Sequence, residues 1–537
     1  MSAPASASRS PETYTHKEIV GVLSGLMVGL LLAALDQTIV STALKRIVED
    51  FNGLEHYTWV VTAYLLTSTA STPLYGKISD LYGRRRVFQF AILTFLVGSL
   101  LAGASQSMTQ LIATRAIQGL GAGGLMALTF VIIGDVIPPR DRGKYQGYFG
   151  GVFGLSSVAG PLLGGFFSDQ TTFLGVAGWR WIFYINIPFG ILALYLTNHS
   201  LHTTAFRRDH KIDYLGALIL VVGVTSLLMA VSVYGPQNGW SDIKTITGFV
   251  IFAALAVWFI AHEFRAEEPI LPMTLFHNHT FSLTSAMAFI IGAGMFGAII
   301  MLPLYLQLVK GDTATVAGLK LIPFMLGIVS MSIFSGKQIS KHGHYKRFPI
   351  IGLAIMTVGI LLLSTLNEET PFWKLAIFAF IVGMGLGFCM QTLVIALQNS
   401  VDFSEMGVAT SANTFFRSVG STIGVALFGT VYSNQLTKYL DSGIKELAAS
   451  NPAAMVGATP EKFQQLKENS EVIQSFTPDL QATIYHAFVH SFHDVFLTAA
   501  PVTVIGFVMA LFLRETPLRT GEAFKDAQEE AIGEQFG

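Results

Sequence analysis

GKISDLYGRRR (residues 76–86) and GKQISKHGHYK (residues 336–346) are two copies of one pattern, each with two glycines seven residues apart. The offset between the copies is 260 residues. A similar offset of 264 residues separates IQGLGAGGLM (117–126) from IVGMGLGFCM (381–390), and also relates Gly143, Gly160 and Gly165 to Gly407, Gly424 and Gly429. The sequence therefore predicts two related halves. A parallel repeat of this kind places a substrate site between the halves, near the middle of a membrane.

The composition is that of a membrane protein. The chain has 537 residues, of which 52% are hydrophobic and only 12% charged, and its mean hydropathy is +0.55. Apolar stretches of about 20 residues recur along the chain, and each can cross a bilayer as a helix. We therefore predict an all-α polytopic membrane protein. The net charge of −1 gives no indication of nucleic-acid binding, and the single Cys389 lies in an apolar segment, so disulfides play no part.

Fourteen membrane-spanning helices are predicted, with boundaries good to a few residues. They are 18–43, 57–76, 86–106, 109–136, 144–168, 180–198, 213–234, 246–263, 281–308, 314–336, 347–366, 371–398, 407–433 and 488–514. An even number places both termini on one side. Alternate short loops carry fifteen Lys and Arg side chains and the opposite short loops carry five, so the positive-inside bias places both termini in the cytoplasm of a multi-pass protein of the inner or plasma membrane.

The predicted organisation follows from the repeat and the spans. Spans 7 and 8 lie between the two six-helix halves as an inserted pair. The segments are a disordered cytoplasmic tail (1–16), an N-terminal half (17–200), a linker with the two inserted helices (201–277), a C-terminal half (278–515) with an external loop (434–487), and a cytoplasmic tail (516–537).

Five ordered motifs carry a family resemblance. They are LDQTIVSTAL (35–44), GKISDLYGRRRV (76–87), RAIQGLGAGG (115–124), GLSSVAGPLLGG (154–165) and WRWIFYINIPFG (179–190). Together they resemble the major facilitator superfamily in its fourteen-helix drug:proton antiporter branch, that is, multidrug efflux transporters. The resemblance implies the major facilitator fold and the export of amphipathic, often cationic, drugs driven by proton entry, a property associated with antibiotic resistance.

Asp36 is the candidate proton carrier. A carboxylate inside a membrane costs about 3 kcal/mol on insertion scales, so it should face a wet cavity or a partner. Arg115, in the fourth span, lies at a similar predicted depth and is the expected partner. Arginine keeps its proton at accessible pH, so it can attract the carboxylate but cannot carry the proton. The alternatives are a purely structural Asp36 and an Arg115 that extends to the membrane surface.

The loop after the second span is a candidate conformational latch. Gly76 and Gly83 permit a tight turn there, and Asp80 could sit at the N-terminus of the thirteenth span, near residues 404–407, where the helix dipole favours an anion. The predicted latch comprises Gly76, Asp80, Gly83, Arg84, Arg85 and Asp135. The resemblance implies that this loop holds the halves together on the inner side. The alternative is that its arginines only anchor the loop to anionic lipid.

The fifth span is rich in glycine. Spacings such as Gly160 and Gly164 let helices approach closely, and Pro161 removes a backbone donor and bends the helix. The resemblance identifies Gly154, Gly160, Pro161, Gly164 and Gly165 with the antiporter motif. We expect this helix to move against the other half, and ordinary close packing is the alternative.

Aromatic and polar side chains are candidates for the substrate cavity. They are Trp59, Tyr64, Gln118, Phe149, Phe153, Asn413 and Arg417. Aromatic residues in such helices face lipid or the protein core more often than a cavity. Arg417 lies about ten residues inside the thirteenth span, where a substrate headgroup, a lipid phosphate or Asp80 could be its partner, and the sequence does not rank these three.

Motifs of other protein classes are absent from the sequence. It contains no Walker loop, HExxH or GxSxG, so we expect neither an enzyme nor ATP-driven transport. Eight histidines lie in or beside predicted cytoplasmic loops without supporting cysteines or paired carboxylates, so we expect no metal site. No cofactor is expected beyond the proton gradient. The expected partners are a small amphipathic substrate, protons and membrane lipids, but not nucleic acid, and we expect a monomer.

The function predicted from these observations is proton-coupled antiport that exports small amphipathic or cationic compounds by alternating access. Two alternatives stay open. One is an exporter of the same fold for a single metabolite or a lipid, which would differ only in the cavity lining. The other is a sensor or scaffold without transport, which would need neither Asp36 nor the Gly160-Pro161 pair.

Overall fold

The computed structural model describes residues 16–51, 57–142, 145–201, 213–455, 459 and 470–519, and almost all of them are helical. The helices are α1 (His16–Phe51), α2 (Tyr57–Tyr82), α3 (Arg84–Ala104), α4 (Met108–Val136), α5 (Pro139–Arg142), α6 (Gln146–Asp169), α7 (Trp181–Tyr184), α8 (Asn186–Ser200), α9 (Tyr214–Met229), α10 (Gly235–Asn238), α11 (Ile243–Glu263), α12 (His279–Leu308), α13 (Ala314–Lys320), α14 (Ile322–His342), α15 (Arg347–Leu363), α16 (Phe372–Ser400), α17 (Met406–Ser450) and α18 (Pro478–Leu511). Two short strands, β1 (Thr172–Phe173) and β2 (Val176–Ala177), pair antiparallel between α6 and α7.

The helices confirm an integral membrane protein. Within the described residues, eleven helical segments are long and apolar enough to cross a bilayer. Two shorter apolar helical segments, His279–Met295 and Arg347–Leu363, accompany them. Helix α2 has 26 residues and an internal proline, Pro73. The predicted count of fourteen spans stays a prediction. The distal parts of the predicted tails, residues 1–15 and 520–537, lie outside the described residues, as do residues 202–212 of the linker.

The two halves use the same helix pairings. In the first half α1 packs against α6 and α8, and α4 packs against α2 and α3. In the second half α12 packs against α17 and α18, and α16 packs against α14 and α15. These are the equivalent helices of a duplicated six-helix unit. The inserted helices α9 and α11 pack on each other, and α9 also contacts α2.

In the segment 434–487, predicted as an external loop, both ends are helical extensions of the flanking helices. Helix α17 continues to Ser450, and α18 begins at Pro478. Leu436, Leu440, Ile444 and Leu447 recur three or four residues apart and pack on the core of the second half. This helical period gives α17 an apolar stripe beyond residue 433, where the predicted span ends. The helix therefore continues past that residue. Residues 456–458 and 460–469 lie outside the described part of the chain.

The halves meet through two sets of helices. Helix α17 contacts α2 and α4, while α6 contacts α13 and α14. We call the end of the bundle where α2 gives way to α3 the latch end. Both described chain ends lie there: the His16 ring nitrogen Nδ1 is 3.0 Å from the Tyr145 hydroxyl at the start of α6, and the Arg519 amide donates to Asn399 Oδ1 at the end of α16 over 3.0 Å.

Candidate functional site

Asp36 and Arg115 form a buried ion pair in the first half. Arg115 Nη1 lies 2.5 Å from Asp36 Oδ2, and the two side chains are 1% and 0% exposed. Helices α1 and α4, which carry them, pack against each other. Because neither side chain reaches solvent, a low local dielectric strengthens their attraction, while both charges have lost their hydration. The structure thus places the two residues together inside the protein, on two helices that are long and apolar enough to cross a bilayer.

Further polar side chains complete this cluster. Gln118 donates from Nε2 to Asp36 Oδ1 over 2.8 Å and accepts from Arg115 Nη1 over 2.7 Å. Asn186 and Ser99 hydrogen-bond to each other over 2.9 Å, and Asn186 Nδ2 lies 3.4 Å from Asp36 Oδ1. All five side chains are buried. The sequence analysis missed Ser99 and Asn186, although Asn186 lies in the WRWIFYINIPFG motif and is a polar residue in an apolar helix.

Two residues predicted to line the cavity belong to this cluster instead. Tyr64 is 1% exposed, and the Arg115 guanidinium carbon lies 4.2 Å from the centre of its ring. Its hydroxyl donates to the Ala33 carbonyl over 3.2 Å. Gln118 is fully occupied between Asp36 and Arg115. Its position three residues after Arg115 places both on one face of α4, a signal that the sequence contained.

The latch residues gather at the end of the bundle. Arg84 Nε lies 2.6 Å from Asp135 Oδ2, and Arg84 Nη1 forms an ion pair with Asp80. A Cβ added to Gly407, in the first turn of α17, would lie 2.6 Å from Asp80 Oδ1, so the carboxylate sits against that turn. This is the position beside residues 404–407 that the helix-dipole argument predicts. Gly83 precedes α3 with φ of 88°, a conformation that favours glycine.

Burial changes the chemistry of Asp80, which lies beyond the predicted span 57–76. Burial raises the pKa of Asp80 to about 6, and the neighbouring Asp135 adds to this shift, whereas Arg84 opposes it. Arg85, in contrast, is not part of the charge cluster, because its guanidinium donates to Asn198 Oδ1 near the end of α8. Lys77 pairs with Glu268 over 2.7 Å and so joins the latch loop to the segment that follows the inserted helices.

A second contact between the halves was missed by the sequence analysis. Arg142 is 4% exposed, and its guanidinium donates to the side-chain oxygen of Gln398 on α16. Gln398 also donates to the Phe130 carbonyl on α4 over 3.1 Å. The two side chains therefore bridge the halves beside the latch. No motif marks this pair in the sequence, because an arginine in a cytoplasmic loop and a glutamine near a helix end are common.

The glycines of α6 face two different neighbours. A Cβ at Gly160 would lie 2.0 Å from Thr38 Oγ1, and one at Gly164 would lie 1.9 Å from Thr42 Oγ1, both on α1 of the same half. Added Cβ atoms at Gly154 and Gly165 would meet α14 and Thr315 of the other half no closer than 3.5 and 3.4 Å.

For Gly160 and Gly164 the structure therefore shows ordinary close packing within the first half, while movement of α6 against the other half stays a prediction. Gly160 and Gly164 close-pack α6 onto α1, and the half-buried Pro161 stands between them. A Cβ added at Gly154 or Gly165 would make only an ordinary van der Waals contact with the second half, so the helices are less tightly packed there than at Gly160 and Gly164.

The remaining cavity candidates divide into two groups. Trp59 and Phe153 are half-buried, while Asn413 is 2% exposed and donates to the Thr284 carbonyl within its own half. Phe149 stacks on Phe130 with ring centres 5.3 Å apart, and the Arg417 guanidinium carbon lies 5.3 Å from the Phe130 ring centre. Arg417, Phe130 and Phe149 thus connect α17, α4 and α6 across the halves.

Two duplicated helical halves, a buried carboxylate–arginine pair and a charged contact between the halves are features expected of a membrane transporter. The family model of the Major Facilitator Superfamily matches residues 26–425, and the chain belongs to this superfamily. An uncharacterised transporter of Mycobacterium tuberculosis is 39% identical over 96% of this chain and 72% of its own length. Multidrug resistance protein 3 of Bacillus subtilis is 38% identical over 93% of this chain and 96% of its own.

A solved structure shows the same fold. The proton:xylose symporter XylE, bound to 6-bromo-6-deoxy-D-glucose, covers 96% of this chain and 99% of its own with a TM-score of 0.60. Its sequence identity to this chain is 14%, so the likeness concerns the fold alone.

Proposed function

We propose that the protein is a proton-coupled antiporter that exports small amphipathic compounds by alternating access. The observation that carries the proposal is the Asp36–Arg115 pair, which lies fully buried within helices that span the membrane. The names of relatives support this direction and substrate range, since a Gibberella fujikuroi protein at 30% identity is called efflux pump FUS6 and a Bacillus subtilis protein at 36% identity is called multidrug transporter protein MdtP.

The proton step is assigned to Asp36. In the described structure its carboxylate accepts hydrogen bonds from Arg115 and Gln118. Protonation removes that charge and weakens the attraction to Arg115. Breaking a buried pair costs about 3–5 kcal/mol, which is comparable to the roughly 2.3 kcal/mol that each proton releases on moving inward across 100 mV.

The latch defines the state of the transporter. Asp80, Arg84 and Asp135 close the latch end against α17, so the substrate path is closed at that end. With the positive-inside orientation, this end faces the cytoplasm and both termini lie there. A closed inner end is the state in which an exporter releases its substrate and accepts a proton from outside.

The test is substrate-induced proton release from purified protein in detergent, measured for the wild type and Asp36→Asn. Ethidium, a cation, and rhodamine B, a zwitterion, serve as probes, and dye binding is followed by fluorescence anisotropy in the same samples. We expect at least one dye to release protons from the wild type and not from the variant. Equal release from both proteins would remove Asp36 as the carrier. Dye binding without any release would remove proton antiport.

A further inference from the structure

Among the residues that the structure describes, Arg417 has no carboxylate partner. Its guanidinium forms no ion pair and no hydrogen bond with any residue that the structure describes, and its contact is the face of Phe130. The side chain is nevertheless only partly exposed. Arg417 lies eleven residues after the start of α17, so it is about 16 Å along the helix from the latch end, near mid-depth of a hydrocarbon core of about 30 Å.

This position is costly for a charge. Arginine retains its proton, so it cannot relieve the cost by becoming neutral. Charged residues at such depths pair with one another or mark a substrate path. The cation–π contact supplies only about 0.5–2 kcal/mol. The other buried arginines contrast with it, because Arg84 and Arg115 each have carboxylate partners and Arg142 has Gln398 and two backbone carbonyls.

The surroundings of Arg417 have a defined chemistry. Phe130 is 2% exposed and Phe149 3%, and their rings are stacked with an angle of 19° between their planes. The three residues come from both halves, so their arrangement depends on how the halves are placed. Asp80, one of the partners that the sequence left open, is engaged with Arg84 at the latch end. A guanidinium presents parallel N–H donors that match a carboxylate or phosphate.

We propose that Arg417 recognises an anionic oxygen group, a carboxylate or phosphate, on a compound whose apolar or aromatic body lies along Phe130 and Phe149. This inference rests on the proposed transport function and names its substrate class: amphipathic organic anions and zwitterions, in preference to compounds that are cations only. A dissolved compound or the headgroup of a lipid could supply the same anionic group.

The experiment uses two dyes that differ only at the proposed contact. Rhodamine B carries a free carboxylate, and its ethyl ester carries none. Affinities of the full-length protein in uncharged detergent are measured by fluorescence anisotropy. We expect the wild type to prefer the acid over the ester by about 10- to 100-fold, the range for a hydrogen bond to a charged group. Arg417→Gln should abolish the preference and leave ester affinity unchanged, while Arg417→Lys should retain part of it.

Controls separate a specific loss from misfolding. Arg265→Gln removes an exposed arginine and should keep the wild-type preference. Unchanged ester binding by Arg417→Gln shows that this variant is folded. If Arg417→Gln binds neither dye, the inference is tested with Arg417→Lys, which should bind the ester and keep part of the preference for the acid. Equal affinity of the wild type for acid and ester, or a preference that survives in both variants at position 417, would overturn the inference.

A competition experiment with lipids distinguishes a lipid headgroup from a dissolved compound as the source of the anionic group. Phosphatidylglycerol, titrated against phosphatidylcholine as the neutral control, should displace rhodamine B from the wild type if a lipid headgroup occupies Arg417. Failure to displace it assigns the site to a dissolved compound. The inference and the proposed function can fail separately. Equal binding of the two dyes with proton release through Asp36 leaves antiport in place, whereas an Arg417-dependent preference without proton release leaves only the recognition site.

Discussion

The latch depends on a close approach of two helices from different halves at Gly76. A Cβ added there would lie 2.5 Å from Ser411 Oγ and 2.7 Å from Ser411 Cβ. Carbon atoms in contact are about 3.5–4.0 Å apart, and rotation of the Ser411 side chain cannot move its Cβ. In Gly76→Ala, therefore, α2 and α17 must separate. Overpacking costs about 1–3 kcal/mol, so the ratio of latched to unlatched protein should fall by roughly fivefold to 150-fold.

The same geometry predicts a rescue across the interface. Ser411→Gly removes both clashing atoms, and within the described structure the Ser411 hydroxyl makes no hydrogen bond that would be lost. The Gly407 carbonyl, at 3.1 Å, is the next atom that the added Cβ would meet. The double variant Gly76→Ala/Ser411→Gly should therefore recover most of the latched population.

Distances between spin labels measure that population. Labels at Tyr82 and His342, both exposed at the latch end, report on the two halves, and the buried Cys389 is replaced by serine so that labelling is specific. Gly151→Ala is the matched control, because no atom lies within 4 Å of its added Cβ. If Gly76→Ala has the same distance distribution as this control, or if the double variant shows no recovery, the steric reasoning is refuted.

Three further predictions concern the same molecule. Burial raises the pKa of Asp80 to about 6 from its ordinary 3.8. Because the open latch returns this carboxyl to water, the latched state binds the proton more tightly, and acidification from pH 7 to 5 should raise the ratio of latched to unlatched protein by up to about tenfold in total. Label distances should show this change, and Asp80→Asn should lack it. Gly164→Ala, whose Cβ would lie 1.9 Å from Thr42 Oγ1 within one half, should lower the thermal unfolding midpoint but leave label distances unchanged; a change in distances alone would contradict this. Arg142→Gln and Gln398→Ala should each favour the unlatched state by about tenfold, as the loss of a hydrogen bond to a charged group implies, and additive effects in the double variant would show that the two side chains do not interact.

The sequence predicted those parts of the site in which an unpaired charge would be costly. A carboxylate in an apolar helix requires a partner, and Arg115 was the basic residue at matching depth, so the Asp36 pair was predictable from one chain. The sequence left two roles open for the glycines of the antiporter motif, movement between the halves and ordinary close packing. Gly160 and Gly164 pack α6 onto α1, and the movement stays a prediction. The same spacing of small residues is found where helices pack closely within a half and where they pack closely between halves. The spacing alone therefore does not identify the partner helix.

Contacts between distant segments were not predictable in the same way. Arg142 and Gln398 are 256 residues apart, and their hydrogen bond exists only because the two halves meet. The extension of α17 beyond the membrane was a different case. Its apolar period was visible in the sequence, but the polar residues between the apolar ones favoured a loop. Tertiary packing against the second half stabilises that helix.

Helix α4 connects the Asp36–Arg115 pair to the latch. Arg115 and Asp135 are twenty residues apart on it, about 30 Å along its axis. Helix α4 approaches α2 so closely that a Cβ at Gly119 would lie 2.4 Å from the Tyr64 carbonyl and one at Gly123 2.4 Å from the Ser68 carbonyl. We therefore expect α2 and α4 to move together against α17 when a change at Asp36 reaches the latch. Protonation of Asp36 can shift the equilibrium between the latched and the unlatched state only if it affects the two states differently. If α2 and α4 move together, distances within the first half should stay constant while distances between the halves change.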